Sequence, residues 1–235
     1  MLPSFVHPGP VSLVAFVVVC ALVLSATLAG VHVAYRANGQ TSLRPASIVA
    51  TCILLWLGLA SLPVASGWIA ARPLPGVPLY FLAVNGAALA FACSPIGRKL
   101  ATGLPLAALV GFHAFRLPLE LVLHSWATQG TIPSTMTWTG QNYDIVTGIL
   151  ALIAAPWSAR HRAIAWIANG VGFALLINVM RVAVMSSPFP FAWKVEPPLL
   201  LVLHLPYAWI VSICVAGALA GHVILTRALL VRRQS

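Results

Sequence analysis

The stretch VSLVAFVVVCALVLSATLAGVHVA, residues 11–34, contains no charged residue. A helix rises about 1.5 Å per residue, so about 20 apolar residues cross the ~30 Å of hydrocarbon in a bilayer. This stretch is therefore long enough to span a membrane. Six further apolar runs follow it, at about residues 47–70, 77–97, 101–126, 143–158, 163–186 and 199–226. The pattern predicts an all-α, polytopic membrane helix bundle of about seven transmembrane helices.

The composition agrees with this fold class. Hydrophobic residues make up 60% of the chain and charged residues 7%, and the mean hydropathy is +0.97. These values exclude an ordinary soluble domain with a charged shell. The longest polar connections, residues 128–142 and 187–198, are too short to fold independently, so we expect one transmembrane domain over residues 1–235.

The basic residues predict how the bundle is oriented. With seven spans, nine Lys and Arg side chains fall in the loops of one side and two, Arg72 and Lys194, in the loops of the other. By the positive-inside rule, the N-terminus should lie outside and the C-terminus in the cytoplasm. The predicted location is the bacterial cytoplasmic (inner) membrane, as a multi-pass protein.

The formal net charge of +10 does not indicate nucleic-acid binding. The positive charges are distributed over successive loop ends, without the clustered basic patch that a phosphate-binding surface needs. Contact with anionic lipid headgroups explains them better. The lipid bilayer is the expected partner, and a membrane-protein partner or a homo-oligomer stays open.

Ionised side chains within the spans are the main functional signal. Counted at about 1.5 Å per residue from the nearest basic loop residue, four of them fall at one level in the outer part of the bilayer. Charges in hydrocarbon are costly, about 2.5–3.5 kcal/mol each, unless they have partners. We therefore expect one paired cluster that contains Arg116, Glu120, Asp144 and Arg181.

The stretch FRLPLELVLHSW, residues 115–126, carries one side of this cluster. At 100° per residue, His113, Arg116, Glu120 and His124 form a single stripe that should face the bundle. Pro118 lies in the middle of the stripe, where it removes a backbone hydrogen bond and is expected to kink the helix.

The fifth span is short, with 13 clearly apolar residues in IVTGILALIAAPW. We expect Gln141, Asn142 and Asp144 to be drawn into a protein-lined pocket below the outer surface. Asn178 lies one turn below Arg181 and should face the same region. The predicted ligand-binding residues are Arg116, Glu120, His124, Asn142, Asp144, Asn178 and Arg181. The outer loops TIPSTMTWTGQNY and SSPFPFAWKVEPP are interpreted as interfacial anchors or, alternatively, as a lid.

Several motifs point to a family. The segments FRLPLELVLH, TIPSTMTWTGQNYDIVTG, ANGVGFALLIN, SSPFPF, LPYAWI and HVILTR resemble a family of small bacterial multi-pass membrane proteins with no assigned molecular function. The similarity covers roughly residues 100–235 and is most specific at Arg-x-Pro-x-Glu and Gly-x-Asn-x-Asp. It draws attention to Arg116, Pro118, Glu120, Gly140, Asn142, Asp144, Gly148 and His222.

A second resemblance uses Arg181 and His204, which are not part of that pattern. The run NVMRV, residues 178–182, followed by His204, is similar to the Arg and His portion of exosortases, multi-pass membrane transpeptidases. Those enzymes imply a nucleophilic cysteine at the outer end of an earlier span, where this chain has Asn142 and Asp144. A cysteine transpeptidase is therefore not expected.

Three functions remain open at this stage. The outer pocket could bind or transport a small anionic ligand held by Arg116. The protein could be an outward-facing enzyme, with Glu120 or Asp144 as general base and His124 or His204 as proton carrier. The charges could also act structurally, with Arg116–Glu120 and Arg181–Asp144 pairs that join helices in a subunit or scaffold.

No metal or cofactor is predicted. His113 and His124 are about 16 Å apart along a helix axis, too far to share one ion. The four cysteines occur singly, without a Cys-x-x-Cys pair, and are expected to be packing residues: Cys20, Cys52, Cys93 and Cys214.

Overall fold

The structure, a computed structural model, describes residues 4–37, 39 and 44–231, and within these it contains helices and no strand. The predicted all-α membrane bundle is therefore confirmed. The helices are α1 (Pro10–Ala37), α2 (Arg44–Ala65), α3 (Trp68–Ala71), α4 (Pro73–Cys93), α5 (Pro95–Gly103), α6 (Leu106–Gly111), α7 (Arg116–Thr128), α8 (Ile145–Ser158), α9 (Arg162–Ser186) and α10 (Ala216–Val231).

Six helical segments in the described part of the chain are long and apolar enough to cross a membrane. They are Pro10–Ala37, Ala46–Ala71, Pro73–Cys93, Leu106–Thr128, Arg162–Ser186 and Ile210–Val231. Helix α8 is apolar but has only 14 residues, which is about 21 Å and less than the thickness of the hydrocarbon. The seventh crossing and the orientation of the termini stay predictions, and "outer" below means the predicted outer side.

The predicted boundary between the third and fourth spans is wrong. Residues 101–103 belong to the separate helix α5, which begins after Ser94 and carries the predicted cytoplasmic charges Arg98 and Lys99. The Ser94 hydroxyl caps α5 by accepting a hydrogen bond from the Gly97 amide at 3.2 Å. The next helix begins only after Pro105, because proline cannot donate the backbone hydrogen bond that would continue α5.

The predicted start of the last span at residue 199 is also wrong. Residues 187–209 form an irregular segment that contains a short 3-10 turn at Leu201–Leu203. The helix begins at Ile210 with a π-helical stretch to Val215 and then continues as α10. Pro197, Pro198 and Pro206 interrupt the backbone hydrogen bonding before it.

The helix that carries the charged stripe changes its pitch just before Arg116. Residues Phe112–Phe115 form a 3-10 turn between α6 and α7, and α7 begins at Arg116. Pro118 therefore lies in the first turn of α7, where a missing backbone N–H is tolerated. The expected disturbance by Pro118 takes the form of this tightened turn.

The last span and the segment around Arg116 form the interior of the bundle. Ile210–Val231 is 61% buried, whereas the span that contains α2 is only 17% buried and lies at the periphery. Helices α7 and α8 approach each other closely at Gly148, where a Cβ would lie 2.7 Å from the Leu117 Cβ. This contact places the start of α8 against the start of α7.

Candidate functional site

Arg116 is the centre of a buried polar cluster. Its side chain is almost fully buried, with 1% of its surface exposed. It donates from Nε to the Asp144 Oδ2 at 2.5 Å, and from Nη1 to the Gly172 carbonyl at 3.1 Å and to His222 Nε2 at 3.2 Å. One guanidinium therefore joins the start of α7 to the residue before α8, to α9 and to α10.

The hydrogen bonds of His222 fix its tautomer. An arginine side chain has only donors, so His222 Nε2 must accept from Arg116. The other ring nitrogen, Nδ1, then carries the proton and donates to the Asn169 Oδ1 at 2.9 Å. Asn169 in turn donates to the Thr226 hydroxyl at 2.7 Å. His222 is thus a neutral acceptor that helps to hold Arg116 in place.

Asn142 connects the side chain of Glu120 to the backbone of Asp144. Its Nδ2 donates to the Glu120 Oε1 at 2.8 Å and to the Met136 carbonyl at 3.1 Å, and its Oδ1 accepts from the Asp144 amide at 3.1 Å. Asp144 also accepts from the Thr147 hydroxyl at 3.0 Å. Asp144 precedes the first residue of α8, where the partial positive charge of a helix N-terminus stabilises a carboxylate.

Arg116 reaches the middle of helix α9. Arg116 contacts Gly172, which is ten residues into the 25-residue helix α9 and therefore about 15 Å from its start. This is near the middle of α9 and not in its outer part. The depth count from Lys99 fails because it treats residues 99–116 as one straight helix, whereas the chain bends at Pro105.

Residues 129–144 return from the outer end of α7 to its beginning. Helix α7 has 13 residues, so the chain that follows it must descend about 18 Å to bring Asp144 to Arg116. The loop is held by its own hydrogen bonds, among them the Asn142 amide to the Thr137 carbonyl at 3.2 Å. The expectation that Asn142 and Asp144 are drawn below the surface agrees with their burial, whereas Gln141 is exposed.

An apolar cavity of about 390 Å³ adjoins the cluster. Arg116, Glu120 and Asp144 are the charged residues of its lining, and nearly all other lining side chains are apolar. They come from α4, the 3-10 turn before α7, α7, the loop 129–144, α9, the irregular segment 187–202 and the beginning of the last span. Phe189 and Phe191 of the predicted outer loop belong to this lining, so that loop covers the cavity.

Two polar atoms of the cavity lining lack partners. Glu120 is 1% exposed, and its Oε2 has no hydrogen bond among the described residues. The same holds for the Nη2 of Arg116 within this part of the chain. A buried carboxyl or guanidinium atom without a partner is costly. Both atoms are shielded from the cavity, with less than 1 Å² of accessible surface each, so a molecule in the cavity reaches them only when neighbouring side chains shift.

The rim of the cavity is apolar and exposed. Leu82 of α4 is 67% exposed, Val184 of α9 37% and Phe191 62%, and all three belong to the lining. The cavity therefore opens sideways between α4 and α9, where a membrane-embedded bundle faces lipid.

Arg181 and Asn178 lie outside the cluster, and the predicted pairing of Arg181 with Asp144 is wrong. Arg181 is exposed and donates to the Asn178 Oδ1 at 3.0 Å and to the Gln141 Oε1 at 3.4 Å. It is nine residues beyond Gly172, which places it about 14 Å farther along α9. The equal depth inferred from the sequence does not hold for this residue.

The two histidines predicted as proton carriers are also separate from the carboxyl groups. His124 stacks on Trp138 with ring centroids 4.2 Å apart. His204 stacks on Phe5 at 4.1 Å, at the outer end of the bundle. Partial burial lowers the pKa of His204, and the nearby His7 lowers it further. No hydrogen bond described in residues 4–231 joins either imidazole to Glu120 or Asp144.

Sequence reasoning missed the side chains that position Arg116 from α9 and α10. His222 was singled out by family resemblance without a partner. Asn169 and Gly172 lie in the segment ANGVGFALLIN but were not singled out as site residues. In the sequence these positions stand out only as a neutral polar residue or a glycine within an apolar run, which is a weaker sign of a functional site than a charged residue. His113, predicted on the stripe, is buried and stacks on His222 with ring centroids 3.9 Å apart.

The described residues contain no group of three or more His, Cys, Asp or Glu side chains that could hold a metal ion.

The chain belongs to a family described as a domain of unknown function, DUF8737, whose sequence profile matches residues 74–230. No curated protein and no solved structure gives a significant match. The matched region includes every residue of the cavity lining, from Val77 to Ala218.

Proposed function

We propose that this DUF8737 member binds an amphipathic molecule that enters from the bilayer. The apolar part of the ligand would occupy the cavity, and its polar head would meet Glu120 and Arg116. One observation carries the proposal: the lining of an almost wholly apolar cavity includes Arg116 and Glu120, and each of them has a buried side-chain atom that lacks a partner within the described chain. Polar groups inside a membrane mark functional sites when protein contacts do not satisfy them.

The dimensions and position of the cavity support a lipid-like ligand. Its volume of about 390 Å³ lies in the range of small-molecule sites, about 300–1,000 Å³. Apolar lining with few convergent polar groups is typical of such sites. Because the rim is formed by exposed Leu82 and Phe191, a molecule dissolved in the bilayer can reach the cavity without crossing water.

The contacts of Arg116 argue against a site built to hold a small anion. Three of its hydrogen bonds already go to Asp144, Gly172 and His222, and Asp144 compensates its charge. A purely structural role accounts for this ion pair, which joins helices. It does not account for Glu120, whose only described side-chain partner is the amide of Asn142.

An acid–base enzyme receives less support. It needs a carboxylate and an imidazole within hydrogen-bond reach, and the candidate imidazoles His124 and His204 stack on aromatic rings elsewhere. We place the protein in the bacterial inner membrane, with the N-terminus outside, from the nine-to-two distribution of basic residues between the two sides.

The test is photolabelling of the cavity. A long-chain alcohol with a diazirine in its tail should label peptides from residues 176–191 and 199–218 of the purified protein in lipid nanodiscs. The substitution Ala183→Phe fills the cavity from α9 and should abolish this labelling. Ala174→Phe is the matched control, since Ala174 lies on the same helix, is exposed and does not line the cavity. Equal labelling of both variants at these peptides would contradict the proposal.

A further inference from the structure

We infer that the polar head of the ligand is an ammonium group, and that it binds to Glu120 in exchange for a proton. This inference rests on the proposed function and names the chemical class of its ligand. A cationic head differs from the anionic ligand that the sequence suggested. The reason is the set of charged residues that the structure brings together around the cavity.

The charges of the cavity lining do not balance. The lining contains one guanidinium, Arg116, and two carboxyl groups, Glu120 and Asp144. Arg181, which the sequence placed in the same cluster, bonds elsewhere. His222 is a neutral acceptor in its contact with Arg116. With both acids ionised, the site carries one negative charge in excess.

The excess charge belongs to Glu120. Asp144 pairs with Arg116 at 2.5 Å and accepts from Thr147 as well. Glu120 receives one hydrogen bond, from the neutral amide of Asn142, and its second oxygen has no partner in the described chain. A buried carboxyl group in this position requires a proton or a cation.

An ammonium head satisfies this requirement better than the alternatives. Its N–H groups donate to Glu120 Oε2 in a charge-assisted hydrogen bond, and its charge cancels the excess. A carboxylate or phosphate head would add a further negative charge beside Glu120 and Asp144, with only the Arg116 Nη2 left to receive it. A hydroxyl head would donate the missing hydrogen bond but would not cancel the excess negative charge.

The exchange conserves charge. The Glu120 carboxylic acid and the alkylammonium ion form a carboxylate–ammonium pair, and the proton of the acid goes to water. The other titratable groups of the lining are Arg116 from α7, Asp144 from the loop before α8, and Cys214 from the π-helical stretch. Helices α4 and α9 and the segment 187–202 contribute no titratable side chain to it. One proton should therefore be released for each ammonium bound.

The experiment compares three ligands with the same alkyl chain in nanodiscs of phosphatidylcholine. Decylamine, decanol and decanoate compete with the diazirine alcohol for the cavity, and their inhibition constants are measured at neutral pH. We expect decylamine to bind at least tenfold more tightly than decanol, and decanoate most weakly. Proton release in weakly buffered solution should approach one per bound amine.

Glu120→Gln provides the decisive variant, because it keeps the shape of the side chain and removes its charge. It should lose the preference for decylamine and the proton release while decanol still binds. Glu196→Gln is the matched control: it makes the same change at an exposed residue outside the cavity lining, and should behave as the wild type. Equal binding of amine and alcohol, or an unchanged preference in Glu120→Gln, overturns the ammonium inference and leaves the cavity proposal standing. If none of the three ligands competes, the proposed function itself fails.

Discussion

Replacing Asp144 by Asn should destabilise the protein strongly, because it removes the carboxylate that is ion-paired and hydrogen-bonded to the buried Arg116. The pair is joined at 2.5 Å and both side chains are at most 5% exposed. Two unit charges roughly 4 Å apart attract each other by about 4 kcal/mol at an effective dielectric constant of 20. Breaking a buried pair by removing one partner usually costs about 3–5 kcal/mol. We expect a loss in this range for Asp144→Asn.

A double-mutant cycle separates the pair from its surroundings. Arg116→Gln should cost a similar amount, since it leaves Asp144 unpaired and also removes the bonds to Gly172 and His222. The double variant contains no lone charge at this position. Its loss of stability should fall short of the sum of the single losses by about 2–3 kcal/mol, at the upper end of measured coupling energies.

The measurement is the free energy of unfolding in mixed detergent micelles, with Glu196→Gln as the control for removal of an acidic side chain. Glu196 is exposed, so this control should lie within about 0.5 kcal/mol of the wild type. Our reasoning is refuted if Asp144→Asn is as stable as this control, or if the effects of Asp144→Asn and Arg116→Gln simply add.

Three further outcomes follow from neighbouring features. Gly172→Ala should cost about 1–3 kcal/mol of unfolding free energy, because its Cβ would lie 2.7 Å from an imidazole carbon of His222 in α10. Gly170→Ala is the control and should not destabilise the protein, since a Cβ there has nothing within 4 Å. Equal effects of the two substitutions would contradict the packing described at Gly172. Arg181→Gln should change the free energy of unfolding by no more than about 0.5 kcal/mol, since the hydrogen bonds of Arg181 are exposed. A loss as large as that of Arg116→Gln would contradict the exposed position of Arg181. The lowered pKa of His204 means that its contacts with the N-terminal segment stabilise the fold fully above about pH 6.5 and weaken as the pH falls through the lowered pKa. The protection factors of the amides in residues 4–9, which correct for the slower intrinsic exchange at low pH, should therefore fall on acidification, and less so in His204→Phe.

The membrane fold was predictable because long apolar runs have few alternatives to a spanning helix. The helix boundaries were less predictable, because a proline in an apolar run can lie inside a helix or separate two helices. Pro63 and Pro78 lie inside helices, whereas Pro105 separates two of them. The neighbouring helices decide whether a freed carbonyl finds another partner, and a local sequence does not contain that information.

The candidate site was predicted in part. The assumption that the rare charged residues lie at the same depth in the membrane groups Arg116, Glu120 and Asp144. In the structure Arg116 and Asp144 form an ion pair, and all three residues line one cavity. The same assumption failed for Arg181, because residues 99–116 are not one straight helix and Arg116 therefore does not reach the level of Arg181. Asn169 was missed, since a neutral polar side chain in a span gives a weaker signal than an ionised one.

The short helix α8 has a consequence for how the chain is inserted during synthesis. Its 14 residues are too few to hold a segment across the bilayer unaided. We expect the insertion machinery to release it into lipid only as a hairpin with α9, to which it is joined by a turn of three residues, 159–161. Until that hairpin arrives, the guanidinium of Arg116 lacks its hydrogen bonds to Asp144 and Gly172, so assembly of the interior should be a late event that follows membrane integration.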